Sequence, residues 1–347
     1  MDRFAGRAPA ANLGNEAAGL AVLPDQGQSI MHVIGVFNRD GGTFKTTDMD
    51  AFAARAVEVF AAHGHTLEPR IIDGKALLTE LERAAAAAEL LLAGGGDGTV
   101  SAAAGAAYGA GIPLAVLPAG TMNLFARSLG IPLKLEEALE ILAEGEIQEV
   151  DIATANGRPF IHQFSVGIHP KLVKLRESLS YKSRAGKMLA STRAALGAVL
   201  NPPSFNADLL TRGRLERRHT AGISVSNNPL DEGHLPIADR LDRGVLGIYV
   251  VPPLTLPVML RLAFGLLRGK FRSLPEVVDR EAREATLFFP HNRSGTVGVI
   301  DGELEKLPDR IDLKIHPKAL RVVVPKAQVP AAPADDGKAL AKLLASA

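Results

Sequence analysis

The chain contains no cysteine. Disulfides and thiolate metal sites are therefore excluded, which fits a reducing compartment. It has almost no net charge: 39 Lys and Arg against 38 Asp and Glu leave +1. There is thus no sequence-wide electrostatic footprint for nucleic acid, and any basic surface has to be local. No stretch of about eighteen uncharged apolar residues occurs, so no membrane-spanning helix is expected. Residues 1–29 lack a continuous apolar run, being broken by Pro9, Gly14, Glu16, Pro24 and Asp25. They read as a disordered leader and not as a signal peptide. Several common motifs are missing too. G-x-G-x-x-G fails at its third position, Thr99 or Ser101, and neither G-x-x-x-x-G-K-[ST] nor G-x-S-x-G occurs. A dinucleotide dehydrogenase, a P-loop enzyme and a Ser-His-Asp hydrolase are disfavoured. Among the nine histidines only His63-x-His65 has close spacing, beside Gly64 at a helix end, which does not support a zinc enzyme.

What is present is ample for two domains: 347 residues, 47% of them apolar. The first half alternates short apolar strands with longer helices. Strands are expected over Ile30–Phe37, Leu67–Ile72, Glu89–Ala93 and Pro113–Leu117. Helices are expected after an Asp48 cap, over Lys75–Ala87 and over Thr99–Tyr108. The first helix places Met49, Phe52, Ala53, Ala56, Val59 and Phe60 on one face. This alternation predicts a doubly wound, mostly parallel α/β sheet over residues 30–150. Beyond Val150 the pattern changes to strands at Phe160–Gly167, Ala207–Leu210, Ala221–Ser226, Val245–Val251, Ala285–Phe289 and Gly295–Ile300. Only two helical stretches separate them. A mostly antiparallel, sandwich-like second domain is expected over 151–325, its last strands free to return to the first domain. Residues 326–347, rich in Ala, Pro, Lys and Asp, read as a loose tail with a short helix at Ala339–Leu344.

The chemistry concentrates at Gly94-Gly95-Gly96-Asp97-Gly98-Thr99, where the apolar strand runs into glycines and then a helix. Glycines allow close backbone approach, and exposed N–H groups with the helix dipole favour an anion there. Asp97 would repel a phosphate unless a cation lies between them, which points to Mg²⁺ held jointly with phosphates. The alternative is a tight turn capped by Asp97. A second segment, Leu117-Pro118-Ala119-Gly120-Thr121-Met122-Asn123, again follows a strand and precedes a helix, so it should lie beside the first loop. Thr121 and Asn123 could donate to phosphate or nucleobase, or could cap the helix. Taken alone, Asp301-Gly302 reads as a hairpin turn.

Together these segments resemble the diacylglycerol kinase catalytic-domain family, which includes bacterial lipid kinases and sphingosine kinases. The resemblance rests on Asn38, Gly95-Gly96-Asp97-Gly98-Thr99, Pro118-Ala119-Gly120-Thr121-Met122-Asn123, Ser165-Val166-Gly167-Ile168 and Asp301-Gly302-Glu303, in family order from Ile30 to Pro325. It implies an ATP- and Mg²⁺-dependent kinase acting on a lipid hydroxyl, such as that of diacylglycerol, in a cleft between two domains. It implies nucleotide binding by Asn38, Gly94 to Thr99, Gly120, Thr121 and Asn123. Asp97 would hold the catalytic Mg²⁺, and Asp301 or Glu303 would be the general base. The chain departs from the family at Arg39, where a proline is usual, and at Arg70 to Ala76, which lacks the family's threonine. It departs again at Arg243, which stands where the family has an Asp helping to hold a structural Mg²⁺. Asp242 or Asp239 is left as the candidate ligand there.

Two stretches have the makings of membrane-surface helices. One is Lys171–Leu200, with Lys171, Lys174, Arg176, Lys182, Arg184, Lys187 and Arg193 among apolar residues. The other is Leu256–Phe271, with Arg261, Arg268 and Lys270. Basic amphipathic helices can lie on anionic lipid, though such helices also commonly just cover a sheet. The expected setting is cytoplasmic, with peripheral contact at the inner face of a membrane; a homodimer is compatible with the pattern, and no nucleic-acid partner is expected. Two alternatives stay open. One is an NAD kinase-like or sugar kinase sharing the Gly-Gly-Asp-Gly loop. The other is a catalytically silent lipid-binding regulatory protein that keeps the fold.

Overall fold

In the computed structural model, residues 30–180, 204–233, 235–269, 277–290 and 296–326 are described. The expected leader, the tail with its short helix, and residues 181–200 of the first basic stretch lie outside them. The chain opens with β1 (His32–Asn38), α1 (Met49–Ala62), β2 (Thr66–Ile72), α2 (Leu77–Ala87), β3 (Leu90–Gly95), α3 (Asp97–Ala110) and β4 (Leu114–Pro118). Asp48 caps α1 by accepting the Ala51 N–H at 3.1 Å, and Phe52, Ala53, Ala56, Val59 and Phe60 form its buried face. All residues of β3 and β4 are buried. That is why they read as continuous apolar runs: parallel strands covered on both faces have no solvent side. Short α4 (Leu124–Ser128) and α5 (Leu135–Glu144) follow.

The rest is mostly strand: β5 (Glu146–Ala155), β6 (Arg158–Phe160), β7 (Gln163–Gly167), β8 (Phe205–Thr211), β9 (Arg214–Thr220), β10 (Gly222–Asn227), β11 (Leu246–Val251), β12 (Val278–Ala282), β13 (Glu284–Phe288), β14 (Thr296–Ile300), β15 (Glu303–Leu307) and β16 (Arg310–Val324). Helix α6 (Ile168–Ser180) follows β7, and α7 (Leu256–Leu267) follows β11. The expected single strand over Phe160–Gly167 is two strands with a break at Ile161 and His162. A carboxylate described below takes the N–H groups that would continue the ladder.

Two sheets result. The first, with ten strands, runs β2-β1-β3-β4-β16-β13-β8-β9, with β5 on β16 and β6 on β5. Its β2, β1, β3 and β4 are mutually parallel, and β16 joins them alongside β4 at Val322↔Leu114. The second sheet, β12-β11-β10-β7-β14-β15, is antiparallel throughout. Side chains such as Phe164, Val166, Ile223, Ile248 and Ile300 meet Leu209, Leu287, Leu313 and Ile315 of the first sheet in one apolar core. The expected architecture, a mostly parallel α/β part followed by an antiparallel sandwich, is thus the one observed.

Candidate active site

Strand β1 feeds a connection to β2 on one side, and β3 feeds one to β4 on the other. The order therefore reverses between β1 and β3, the position where open α/β sheets bind ligands beyond their carboxyl ends. Three loops converge there: 38–42 after β1, 95–99 after β3 and 118–123 after β4. They are packed backbone to backbone. Thr43 donates its N–H to Ala119 O at 2.8 Å and Ala119 donates to Gly95 O at 2.9 Å. A β-carbon on Gly120 would sit 2.6 Å from the Gly96 Cα, and one on Gly94 would sit 2.7 Å from the Phe37 ring. No side chain fits at either place, so glycine is required by proximity and not by φ.

The predicted nucleotide residues are brought together here. Asn38 Nδ2 donates to the buried Thr99 Oγ1 at 3.0 Å, tying the first loop to the second. Asp97, the first residue of α3, accepts the Asn123 N–H at 3.1 Å and the Leu124 N–H at 2.7 Å. Asp97 thereby caps α4, the role that pattern alone offered to Asn123. Asn123 instead stands in the left-handed region at φ 52, with its amide bridging the Gly120 N–H and C=O at 2.8 and 3.1 Å. Thr121 is exposed at the loop tip. Asp40 accepts the Gly74 N–H at 2.9 Å and so fastens the loop after β1 to the chain after β2.

The second sheet contributes the Asp301–Gly302 turn. Both residues have positive φ, 45 and 89, a hairpin turn joining β14 to β15 at the Ile300↔Glu303 pair. Asp301 is buried. Its Oδ2 accepts from Ser101 Oγ at 2.6 Å and Ile161 N at 2.9 Å, and its Oδ1 from His162 N and Gln163 N, each at 2.9 Å. These three consecutive N–H groups produce the break between β6 and β7. Glu303 is 62% exposed and reaches the glycine loop. Its Oε1 lies 3.8 Å from where a β-carbon on Gly98 would be, and its Oε2 accepts from Arg158 Nη2 at 2.7 Å. Arg158 also pairs with Glu305.

Ser101, Arg158 and His162 were not singled out by sequence reasoning, because their partners lie more than a hundred residues away along the chain. Burial pushes the His162 imidazole below its ordinary range, while the carboxylates of Asp301 and Asp97 act in the opposite direction. Asp242 does not join this cluster: it is paired with Arg240 at 3.0 Å. Arg243 turns its guanidinium to Glu281 at 2.9 Å, and Asp239 is pushed up by burial and by the neighbouring Asp231. Among the described residues no three His, Asp or Glu side chains are grouped to hold a metal. Magnesium usually takes only one or two carboxylates, with the rest of its shell from phosphates and water. Asp97, each oxygen of which keeps a further lone pair, fits that limited part.

Fold and loops together bring a cradle of close-packed glycine loops within reach of a carboxylate from the second sheet. Residues 32–155 match the family described as the diacylglycerol kinase catalytic domain, the family that the motifs resemble. An uncharacterized Synechocystis protein is 39% identical over 131 residues, 38% of this chain and 30% of that protein; the chain thus matches under a third of this relative's length. A Staphylococcus epidermidis protein named "Putative lipid kinase" is 24% identical over 221 residues, 62% of this chain and 69% of its own. The crystal structure of a "putative diacylglycerol kinase" from Bacillus anthracis superposes with a TM-score of 0.69 at 19% identity. It covers 88% of this chain and all of that one, and is evidence of shared fold.

Proposed function

We propose that the protein is a lipid kinase that transfers the γ-phosphate of ATP to the hydroxyl of a lipid alcohol. The observation that carries this reading is Glu303, brought from the second sheet to Gly98 on the rim of the glycine cradle. Phosphoryl transfer needs little covalent chemistry from a protein; it needs positioning, charge neutralisation and a group to take the hydroxyl proton. The N–H groups opening α3 would receive phosphate oxygens. Mg²⁺, held by Asp97 with the phosphates, would neutralise charge there. Glu303 takes the acceptor proton as the lipid oxygen bonds to the γ-phosphorus and ADP leaves. Asp301 suits a positioning role better than that of base, because four donors already occupy its oxygens. Arg158 holds the Glu303 carboxylate in place.

A lipid acceptor implies work at a membrane surface. No helix among the described residues is long and apolar enough to cross a bilayer. Exposed Leu172 on α6, and Leu260 and Phe264 on α7, supply apolar side chains for peripheral contact.

The test is incubation with γ-labelled ATP, Mg²⁺ and a total lipid extract, with NAD and fructose 6-phosphate in parallel. Label in a lipid, lost in Glu303→Gln, supports the reading. Label only in NAD or the sugar replaces it with the corresponding alternative, and vesicle binding without any turnover replaces it with a silent lipid-binding protein.

A further inference from the structure

The connection from β10 to β11 belongs to the second sheet by sequence, yet Ala238 and Leu241 within it lie in the core around β1, β3 and β4. One fully buried side chain fastens it there. Asp151 of β5 accepts the Gly244 N–H on Oδ2 at 2.6 Å and the Lys318 N–H on Oδ1 at 2.9 Å. Its own N–H donates to Leu241 O at 2.6 Å, and its C=O accepts from Asn227 Nδ2 at 3.0 Å. Lys318, at φ 54, lies where β16 shifts register against β5. Asn227 Nδ2 also donates to Ile161 O at 3.2 Å, and Ile161 gives its N–H to Asp301. Through Asn227 and Ile161 the connection is thus tied to the turn that precedes Glu303.

The charged residues at the end of this connection pair among themselves and with β12. Arg240 donates from Nε and Nη2 to the two oxygens of Asp242, at 3.1 and 3.2 Å. Arg243 gives its N–H to Asn228 Oδ1 and its Nη2 to Glu281 Oε1, each at 2.9 Å. Glu281 stands on β12 opposite Gly247 of β11, so this ion pair reaches across to the neighbouring strand. The resemblance implies a structural Mg²⁺ at this place, and the residues present do not suit one. Magnesium takes oxygen ligands, whereas position 243 presents a cation. Asp242 already faces the Arg240 guanidinium. Of the buried amide atoms without a partner, Asn228 Nδ2 is a donor, and Asn227 Oδ1 is one neutral oxygen. Asp239, whose N–H donates to Asp231 Oδ2 at 2.7 Å, is the remaining candidate ligand.

We infer that Arg243, paired with Glu281, takes over the fastening that a divalent ion would give this connection, so that its attachment to the sheets needs no metal. A guanidinium keeps its charge at any working pH and cannot dissociate from the chain. Asp151 supplies the second anchor, from the first sheet, through backbone N–H groups alone. The Arg243–Glu281 pair is about a third exposed on each side, 34% and 34%, so added salt weakens it. This role is separate from any Mg²⁺ carried with nucleotide at Asp97, and it does not depend on which acceptor is phosphorylated.

The experiment is thermal melting without nucleotide, in EDTA and in MgCl₂, with NaCl added to equalise ionic strength. It compares wild type, Arg243→Ala, Arg243→Asp and a double variant, Asp239→Asn with Asp242→Asn. Any response to Mg²⁺ should be the same in wild type and in the double variant. Arg243→Ala should melt lower than wild type by about 1–3 °C, equally in both buffers. Arg243→Asp restores the family's residue and sets it beside Glu281, which offers Mg²⁺ the two carboxylates it can use. That variant should melt lowest in EDTA and gain about 2 °C or more over the wild-type response in MgCl₂. A Mg²⁺ response larger in wild type than in the double variant reveals a metal at this connection and overturns the inference. Wild-type melting of Arg243→Ala and Arg243→Asp in EDTA shows that the guanidinium fastens nothing, and overturns it too. If Arg243→Asp does not fold, Arg243→Ala and the double variant decide the matter.

Discussion

Asp301 and Glu303 stand two residues apart in meeting opposite surroundings. Asp301 is buried under three backbone donors and one hydroxyl, whereas Glu303 is mostly in solvent and held by Arg158. Replacing Asp301 by Asn turns an NH₂ toward groups that are themselves donors. Hydrogen bonds to charged groups are worth about 1.5–3 kcal/mol each, so Asp301→Asn should lower stability by roughly that amount. Glu303→Gln should leave the melting temperature near wild type while reducing kcat by roughly 10²–10⁴, the usual contribution of a general base. Calorimetry beside steady-state kinetics separates the two effects. An equal loss of stability in both variants would contradict the division of roles. A third carboxylate reports on pH. Glu216 of β9 takes hydrogen bonds from Arg280, at 2.7 Å, and from Arg218, which favour the ionised carboxylate and lower its pKa to about 2. A depressed carboxylate stabilises the fold above its ordinary value near 4.5, and that contribution disappears as pH falls toward about 2. Melting curves from pH 5 to 2 should therefore fall less steeply in Glu216→Gln than in wild type.

At the scale of elements, the three-loop contact makes a sharp demand on Gly120. A β-carbon there would meet the Gly96 backbone at 2.6 Å and Asn123 Oδ1, a side-chain tip tied to the Gly120 N–H, at 2.9 Å. Gly120→Ala should push the 118–123 loop away from 95–99 and abolish stabilisation by ATP in a thermal-shift assay; retained stabilisation would show that the loops do not hold nucleotide together. Most elements of the first half were legible because burial leaves a local trace. Continuous apolar runs marked β3 and β4, and the 3.6 period marked α1. The same holds for the cradle, whose glycines announce close approach. Strand β9 was not anticipated, since its sequence RLERRHT has no apolar alternation. What holds it is the ladder to β8 with Arg217–Asp208 at 3.0 Å, and the Arg280–Glu216 bridge from β12. The Arg280–Glu216 bridge, like Ser101 with Asp301, is a property of two distant segments and leaves no mark on either alone.

For the whole molecule, β16 and the Asp301 turn bind the two sheets into one unit. The fifteen residues of β16 pair with β13, β5 and β4 in turn, so the antiparallel part of the first sheet is continuous with the parallel part. Asp301, from the second sheet, meanwhile grips Ser101 on α3. A frame of this kind fixes Glu303 beside the glycine cradle and leaves one surface for the proposed membrane contact. Helix α7 is the candidate surface. Residues 252–275 contain no Asp or Glu but include Arg261, Arg268, Lys270 and Arg272. Leu260 and Phe264, one turn apart, are 63% and 55% exposed, with the Arg268 guanidinium 4.2 Å above the Phe264 ring. An apolar pair rimmed by cations suits the boundary between acyl chains and anionic headgroups. Burying a Leu or Phe side chain is worth about 1.5–3 kcal/mol, so Leu260→Ala with Phe264→Ala should weaken binding to vesicles containing phosphatidylglycerol by tenfold or more. Both side chains already lie outside the core, so folding should persist. Sedimentation with vesicles at two salt concentrations checks both terms. The double variant should bind weakly at either concentration, and wild type should bind less at high salt as the arginine contribution is screened. Equal sedimentation of variant and wild type would show that this face is not the one that meets the membrane.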